Sequence, residues 1–384
     1  MAAERIPFNM PWLTGYELRN VASALQSGNW AGAGPFTARC EELLQGRYRL
    51  PRCLLTTSCT HALEMAALLL GIKPGDEVVV PSYTFVSTAS AFALRGATLR
   101  YADSGERNPN LDPAHVEKLL TPKTRCIVVV HYAGVACDMD AIMGMARAAG
   151  VEVVEDAAQA IDASHAGRAL GTLGRFGTLS FHGTKNIAAG EAGALLLNRA
   201  EDVARAERVR EKGTNRSAFV RGEVDKYGWV ELGSSYVPSD LLAAILLAQL
   251  EALEDIQRRR RAVWDAYHAA FEDLESRHGV MRPFIPAYAT NNAHMYYLVC
   301  RAPEHRDGLL EHLRAAGIQA AFHYTPLHSS GYQVRGGVAE HLPNADRFHS
   351  QLIRLPLYAG LTDEHIARVV HNVESFFRRL GATR

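Results

Sequence analysis

Residues 126–130 read C-I-V-V-V, five apolar positions with no polar residue between them. A strand with one wet face alternates apolar and polar residues. A strand apolar on both faces has to be covered on both, as in a parallel sheet sandwiched between helices. C-L-L-T-T-S (53–58), E-V-V-V-P-S (77–82), T-L-R-Y-A-D (98–103) and V-E-V-V-E-D (151–156) also read as strands. Between them lie segments of helical spacing, T-H-A-L-E-M-A-A-L-L-L (60–70), with Gly71 placed to close it, and V-S-T-A-S-A-F-A-L-R (86–95). This alternation predicts an α/β core with a mostly parallel central sheet.

Near Pro238 the pattern changes to one long apolar-faced helix starting at Ser239 and Asp240, with Leu242, Ile245, Leu246, Leu250, Leu253 and Ile256 on helical spacing. Beyond it, M-Y-Y-L-V-C (295–300), H-L-R-A-A-G-I-Q-A-A-F-H-Y (312–324) and a final amphipathic segment (369–380) suggest a smaller α+β unit. A chain of 384 residues exceeds what one core usually serves. The expected division is a large domain over 1–256 and a small one over 257–384.

A formal net charge of zero provides no long-range field for nucleic acid or an anionic membrane, so neither is expected as a partner. The basic run 258–261 reads as a solvated helix face. No stretch of about eighteen apolar residues suits a membrane span, and the first residues lack a signal-peptide pattern, so a cytoplasmic protein is expected. The six cysteines show no C-x-x-C pair and are expected to be reduced thiols. Dinucleotide, P-loop and nucleophile-elbow glycine motifs are missing, and His323 with His328 makes a poor metal site, so no metal is expected.

Chemistry gathers around S-F-H-G-T-K-N (180–186). A lysine is usually a solvated surface charge, but Lys185 follows the strand-like T-L-S-F-H (178–182), and Asp156 and Gln159 follow another strand. Ligands of open α/β sheets bind at the carboxyl ends of strands, where these three side chains would meet. A carboxylate, an amide and an amine suit pyridoxal 5′-phosphate (PLP). The amine forms an imine with the aldehyde, the acid keeps the pyridine nitrogen protonated, and the amide reaches the phenolate oxygen. T-S-C-T-H-A-L (57–63) opens a helix with small residues, which is a ready phosphate site, and the hydroxyls of Thr60 and Ser180 can add to it. By burial statistics Phe85 would be core; its functional reading is a ring stacked on the cofactor.

These segments, with P-S-Y-T-F (81–85), V-V-H-Y-A-G (129–134) and R-L-P-L-Y (354–358), resemble the sugar aminotransferases of the DegT/DnrJ/EryC1/StrS family over nearly the whole chain. R-E-K-G-T-N-R-S (210–217) and G-S-S-Y (233–236) look like the branch that aminates C4 of dTDP-4-keto-6-deoxyglucose. The resemblance implies a fold-type I PLP enzyme, homodimeric with a composite active site, taking L-glutamate and a dTDP-linked keto sugar. It implies Lys185 as the Schiff-base lysine, Asp156 and Gln159 as partners of the ring nitrogen and phenolate oxygen, Ser180 with the amides of Cys59 and Thr60 on the phosphate, and Phe85 over the ring. It places His328 near the substrate. Ser235 and Val237 stand where many relatives carry asparagine and arginine that reach a partner's phosphate. The loop 185–193 is one residue shorter than in similar relatives. A keto-sugar 3-dehydratase, which has histidine in place of the lysine, and a catalytically silent sugar-nucleotide or PLP-binding regulator are the other readings.

Overall fold

The computed structural model describes residues 4–334 and 341–382. Seven strands form the central sheet: β1 (Arg52–Thr56), β2 (Glu77–Pro81), β3 (Thr98–Ala102), β4 (Thr124–Val130), β5 (Glu152–Asp156), β6 (Phe176–Ser180) and β7 (Gly193–Leu197). Their spatial order is β1-β7-β6-β5-β4-β2-β3. Every neighbouring pair from β6 to β3 is parallel, while β7 runs antiparallel to both β1 and β6. The expected α/β class is what the chain adopts.

The doubly apolar run in β4 explains the layering. Ile127 and Val129 pack into the core on one face, with Leu44, Ile142 and Leu246 from the helices Pro35–Tyr48, Met139–Ala149 and Asp240–Glu251. Cys126 and Val128 pack on the opposite face, with Leu63, Ala66 and Phe92 from the helices Cys59–Leu69 and Ser87–Ala93. Successive strand residues point to opposite faces, so an unbroken apolar run serves two cores. Each fully buried valine there contributes about 1.5–3 kcal/mol. A third core joins Trp264, Tyr267 and Phe271 to Tyr296, Leu298, Ile353 and Phe377. It surrounds the antiparallel pair β8 (Tyr296–Val299) and β9 (Leu352–Leu355). Ile6 belongs to this third core and bridges to Ile318, so the first described residues pack with the last part of the chain.

The expected long helix is two helices, Asp240–Glu251 and Leu253–Ala270, separated at Ala252. The expected division at 256/257 therefore falls inside a continuous helix. Ser239 caps the first helix, accepting from Leu242 N–H at 3.4 Å. The Asp240 carboxylate instead accepts from the N–H groups of Phe36 (3.2 Å) and Thr37 (2.8 Å), capping the start of the helix Pro35–Tyr48.

No helix among the described residues is long and apolar enough to cross a membrane. All six cysteines are buried and unpaired. Ellman's reagent is expected to titrate less than one thiol per folded chain and six after unfolding in denaturant; several fast-reacting thiols in the native protein would contradict this packing.

Candidate active site

Asp156 ends β5 and is buried at the carboxyl edge of the sheet. Its carboxylate accepts from the Thr88 hydroxyl at 2.7 Å and from Ala158 N–H at 3.1 Å, with the Cys59 thiol 4.0 Å away. Burial pushes its pKa up, while the Thr88 bond, the Ala158 N–H and the positive charge of Lys185 pull the other way. The preceding residue, Glu155, points to the opposite face and never meets the cavity. It is fully buried, accepting from the N–H groups of Gly171 (2.8 Å), Leu173 (2.6 Å) and Gly174 (2.6 Å), and it lies 2.9 Å from His131 Nε2. Because His131 Nδ1 accepts from Cys137 N–H (3.2 Å), the imidazole proton sits on Nε2 and donates to Glu155. Two adjacent acids thus have separate tasks.

Lys185 lies on the loop between β6 and β7. The loop is closed by backbone bonds from Phe181 to Ala192 (2.8 Å), Ala189 to Phe181 (2.8 Å) and Gly183 to Gly190 (3.0 Å). The next residue fastens it further. Asn186 donates to Gln257 (2.8 Å) and to the Asn292 carbonyl (2.9 Å), and accepts from His294 Nδ1 (2.7 Å). The Lys185 amine has no hydrogen-bond or ion-pair partner among the described residues. Although the side chain is only half-buried by surface area, the amine sits far enough inside for burial to lower its pKa. Like Asp156, it faces a cavity of about 640 Å³.

Gln159 lines the same cavity with its amide already oriented. Its oxygen accepts from Ala133 N–H at 2.7 Å, so its nitrogen points inward and donates to the Tyr324 hydroxyl at 2.8 Å. At another wall the helix Cys59–Leu69 begins. Ser58 caps it by accepting from His61 N–H at 3.2 Å, and the N–H groups of Cys59 and Thr60 are left without an acceptor among the described residues. The Thr60 hydroxyl is 2.7 Å from that of Ser87. β7 comes so near that a Cβ on Gly193 would stand 2.4 Å from Cys59 N and 2.4 Å from Ser58 C. Ser180, at the end of β6, faces the same space.

The structure therefore brings Cys59, Thr60, Phe85, Asp156, Gln159, Ser180 and Lys185 to one cavity. Phe85 is not core: it is 55% exposed, with its ring 6.2 Å from that of Tyr324. His328 does not line the cavity. It is buried with Nδ1 2.6 Å from the Ser82 hydroxyl and Nε2 3.4 Å from Asp346, holding the turn Leu327–Ser329 to the end of β2. His323 of the same F-H-Y-T-P-L-H stretch lines the cavity instead, bonded to the Tyr132 hydroxyl at 2.7 Å. Ser235 is exposed on a loop and does not line the cavity. Sequence reasoning missed Thr88, Ser87, Tyr324 and Arg354. Thr88 and Ser87 have a sequence signal, since hydroxyl residues start the helix Ser87–Ala93 that follows β2, two strands from β5 in the sheet.

The donor set fits PLP. Free helix-start N–H groups and hydroxyls suit a phosphate; a buried carboxylate suits a protonated ring nitrogen, an inward amide suits a phenolate oxygen, and an unpartnered amine suits an aldehyde. The profile of the DegT/DnrJ/EryC1/StrS aminotransferase family matches residues 13–374. The chain is 32% identical over 382 residues to the spore coat polysaccharide biosynthesis protein SpsC of Bacillus subtilis, covering 97% of both. Its fold is similar to that of the aminotransferase TlmJ from Streptoalloteichus hindustanus, with a TM-score of 0.90, 31% identity and coverage of 98% and 100% of the two chains. It is also similar to DesV of S. venezuelae, solved in complex with a ketimine intermediate, with a TM-score of 0.89, 31% identity and coverage of 97% and 99%.

Gly193→Ala would drive a methyl into the start of the helix Cys59–Leu69. Equilibrium dialysis is expected to show PLP affinity reduced about tenfold or more, the scale of overpacking a tight contact. Unchanged affinity would show that this helix start does not hold the phosphate.

Proposed function

The chain belongs to the DegT/DnrJ/EryC1/StrS aminotransferase family, whose members depend on PLP, and from that premise we propose that it moves the amino group of L-glutamate onto C4 of a dTDP-linked 4-keto sugar. The sugar in this reading is dTDP-4-keto-6-deoxyglucose or a related 4-keto pentose. The observation that carries it is the Lys185 amine, unpartnered and sharing one cavity with Asp156 and Gln159.

When bound, PLP supplies an aldehyde that captures amines and a ring that accepts electron density from the adjoining carbon. The residues do the rest. The Asp156 carboxylate, held by Thr88 and Ala158, would keep a proton on the ring nitrogen. Gln159 Nε2 would donate to the phenolate oxygen, and Cys59, Thr60 and Ser180 would hold the phosphate. Lys185 Nζ takes the proton from the donor's α-carbon and later delivers one to sugar C4. Its lowered pKa favours the neutral amine that a base needs. Phe85 and Tyr324 line the same cavity and would limit water there. The reading includes a homodimer in which Ser235 reaches the partner's site. Support for that comes from the exposed Phe219, Val220, Trp229, Val230 and Leu232 near the same loop, an apolar surface that solvent alone does not favour.

Purified enzyme with L-glutamate and dTDP-4-keto-6-deoxyglucose is expected to release 2-oxoglutarate and yield a product whose NMR spectrum shows nitrogen at C4. No 2-oxoglutarate, or an amine at C3, would overturn the reading. Lys185→Ala should lower turnover by at least about a thousandfold, the upper range for losing a positioned base; wild-type rates would remove Lys185 from its role. Thr88→Val tests Asp156. The hydroxyl favours the ionised carboxylate, so losing it raises the Asp156 pKa further. Activity that needs the ionised acid is then lost at a higher pH as the solution is acidified. The acid limb of the kcat/KM profile should move toward neutrality, with kcat/KM at pH 7 down about three- to tenfold, the worth of one hydrogen bond. An unmoved limb would detach Asp156 from the chemistry.

A further inference from the structure

A buried histidine in the cavity has no task in the mechanism above. His294 lies just before β8, and its imidazole lines the cavity together with Lys185 and Asp156. The segment that carries it is fixed from three sides. Asn292 donates to the carbonyls of Gln159 and Ile161, both at 2.8 Å, and accepts from His294 N–H at 3.0 Å. Arg260, on the helix Leu253–Ala270, donates to the carbonyls of Ala293 (3.1 Å) and His294 (2.7 Å). Asn186, the residue after Lys185, donates to the Asn292 carbonyl at 2.9 Å. Between these ties Ala293 takes a left-handed φ of +51°, a conformation that persists in alanine only where the surroundings impose it.

The same bonds determine where the imidazole carries its proton. The Asn186 atom that faces a backbone carbonyl has to be its nitrogen, so its oxygen faces the ring, and His294 Nδ1 donates to that oxygen at 2.7 Å. In a neutral ring Nε2 is then the bare nitrogen, able only to accept. Burial keeps the ring neutral, and so do the positive charges of Lys185 on the loop, Arg260 on the helix and Arg354 on β9, which together hold its pKa well below the ordinary histidine value. No acid pairs with the imidazole among the described residues, and Nε2 has no donor partner among them.

A lone pair of this kind suits an N–H donor, and the amine of Lys185 lacks a partner in the same cavity. It stands at the end of a flexible four-carbon stem, one residue from the asparagine that grips the ring. We propose that His294 is a positioning residue for Lys185: whenever the lysine is free of the cofactor, its amine turns to donate to His294 Nε2, which leaves the Nζ lone pair aimed at the carbon to be deprotonated. The bond strengthens as Nζ takes that proton and becomes an ammonium, while the imidazole itself takes none. This rests on the aminotransferase reading and adds to it the group that steers the base.

Two variants separate steering from a purely structural role. In His294→Asn the amide nitrogen replaces Nδ1 and keeps the bond to Asn186, but the acceptor at Nε2 is lost. In His294→Gln the amide oxygen reaches the place of Nε2, and the bond to Asn186 is lost instead. Acetic anhydride labelling of Lys185, followed across pH in the full chain freed of PLP, reports the pKa of the amine. A hydrogen bond to an acceptor favours the ammonium, so His294→Asn is expected to lower that pKa by about one unit. In the PLP-loaded enzyme it should lower kcat about 10- to 100-fold, the worth of a charge-assisted hydrogen bond. The KM values for L-glutamate and the keto sugar nucleotide should stay within about threefold, and His294→Gln should keep more of both the pKa and kcat.

An unmoved Lys185 pKa or an unchanged kcat in His294→Asn would overturn the inference. So would His294→Gln faring worse than His294→Asn, which would make the ring only an anchor for Asn186. A loss confined to the KM of the sugar nucleotide would overturn it too, reassigning Nε2 to a sugar hydroxyl. Nitrogen NMR of labelled histidine in the wild type needs no variant to fold. The Nδ1–H form of His294 should persist from about pH 6 to about pH 9, and a proton on Nε2 would end the proposal. If the wild type releases no 2-oxoglutarate, the aminotransferase reading fails by itself, and the labelling profile still decides whether Lys185 meets His294.

Discussion

Four hydrogen bonds converge on the buried carboxylate of Glu155, three from consecutive turns of backbone at 171–174 and one from His131. A carboxyl group without exposure is tolerated only when its hydrogen-bonding capacity is filled this completely. In return it ties the end of β4 and the approach to β6 onto β5. Arg175 N–H then bonds to Val153, and Phe176 falls into register beside Val154. Where β6 ends, Ser180 and the lysine loop begin. The position of Lys185 relative to Asp156 is thus set from beneath by a residue on the far face of the same strand.

The frame was readable because it obeys simple rules. Apolar runs such as 126–130 admit only a strand covered on both faces, and the helix closed at Gly71, whose φ is +67°, follows common capping chemistry. β7 was not foreseen. G-A-L-L-L suits a helix as well as a strand, and nothing local shows that it runs against its neighbours. Ala252 was equally silent, since alanine is the best helix former and nothing local marks a break there.

Within the site, residues whose chemistry is unusual for their place stood out, and residues whose chemistry is common did not. Lys185, Asp156 and Gln159 follow strand ends, where side chains have reason to be polar. Thr88 looks like any helix-start hydroxyl until the fold brings it within 2.7 Å of Asp156. His323 and His328 differ by five positions in one stretch, and only the path of the turn Leu327–Ser329 determines that the first faces the cavity and the second grips Ser82.

Every group expected to grip the cofactor comes from residues 58 to 185, whereas His323, Tyr324 and Arg354 arrive from the last quarter of the chain. Sequence drift can therefore act on the two regions independently.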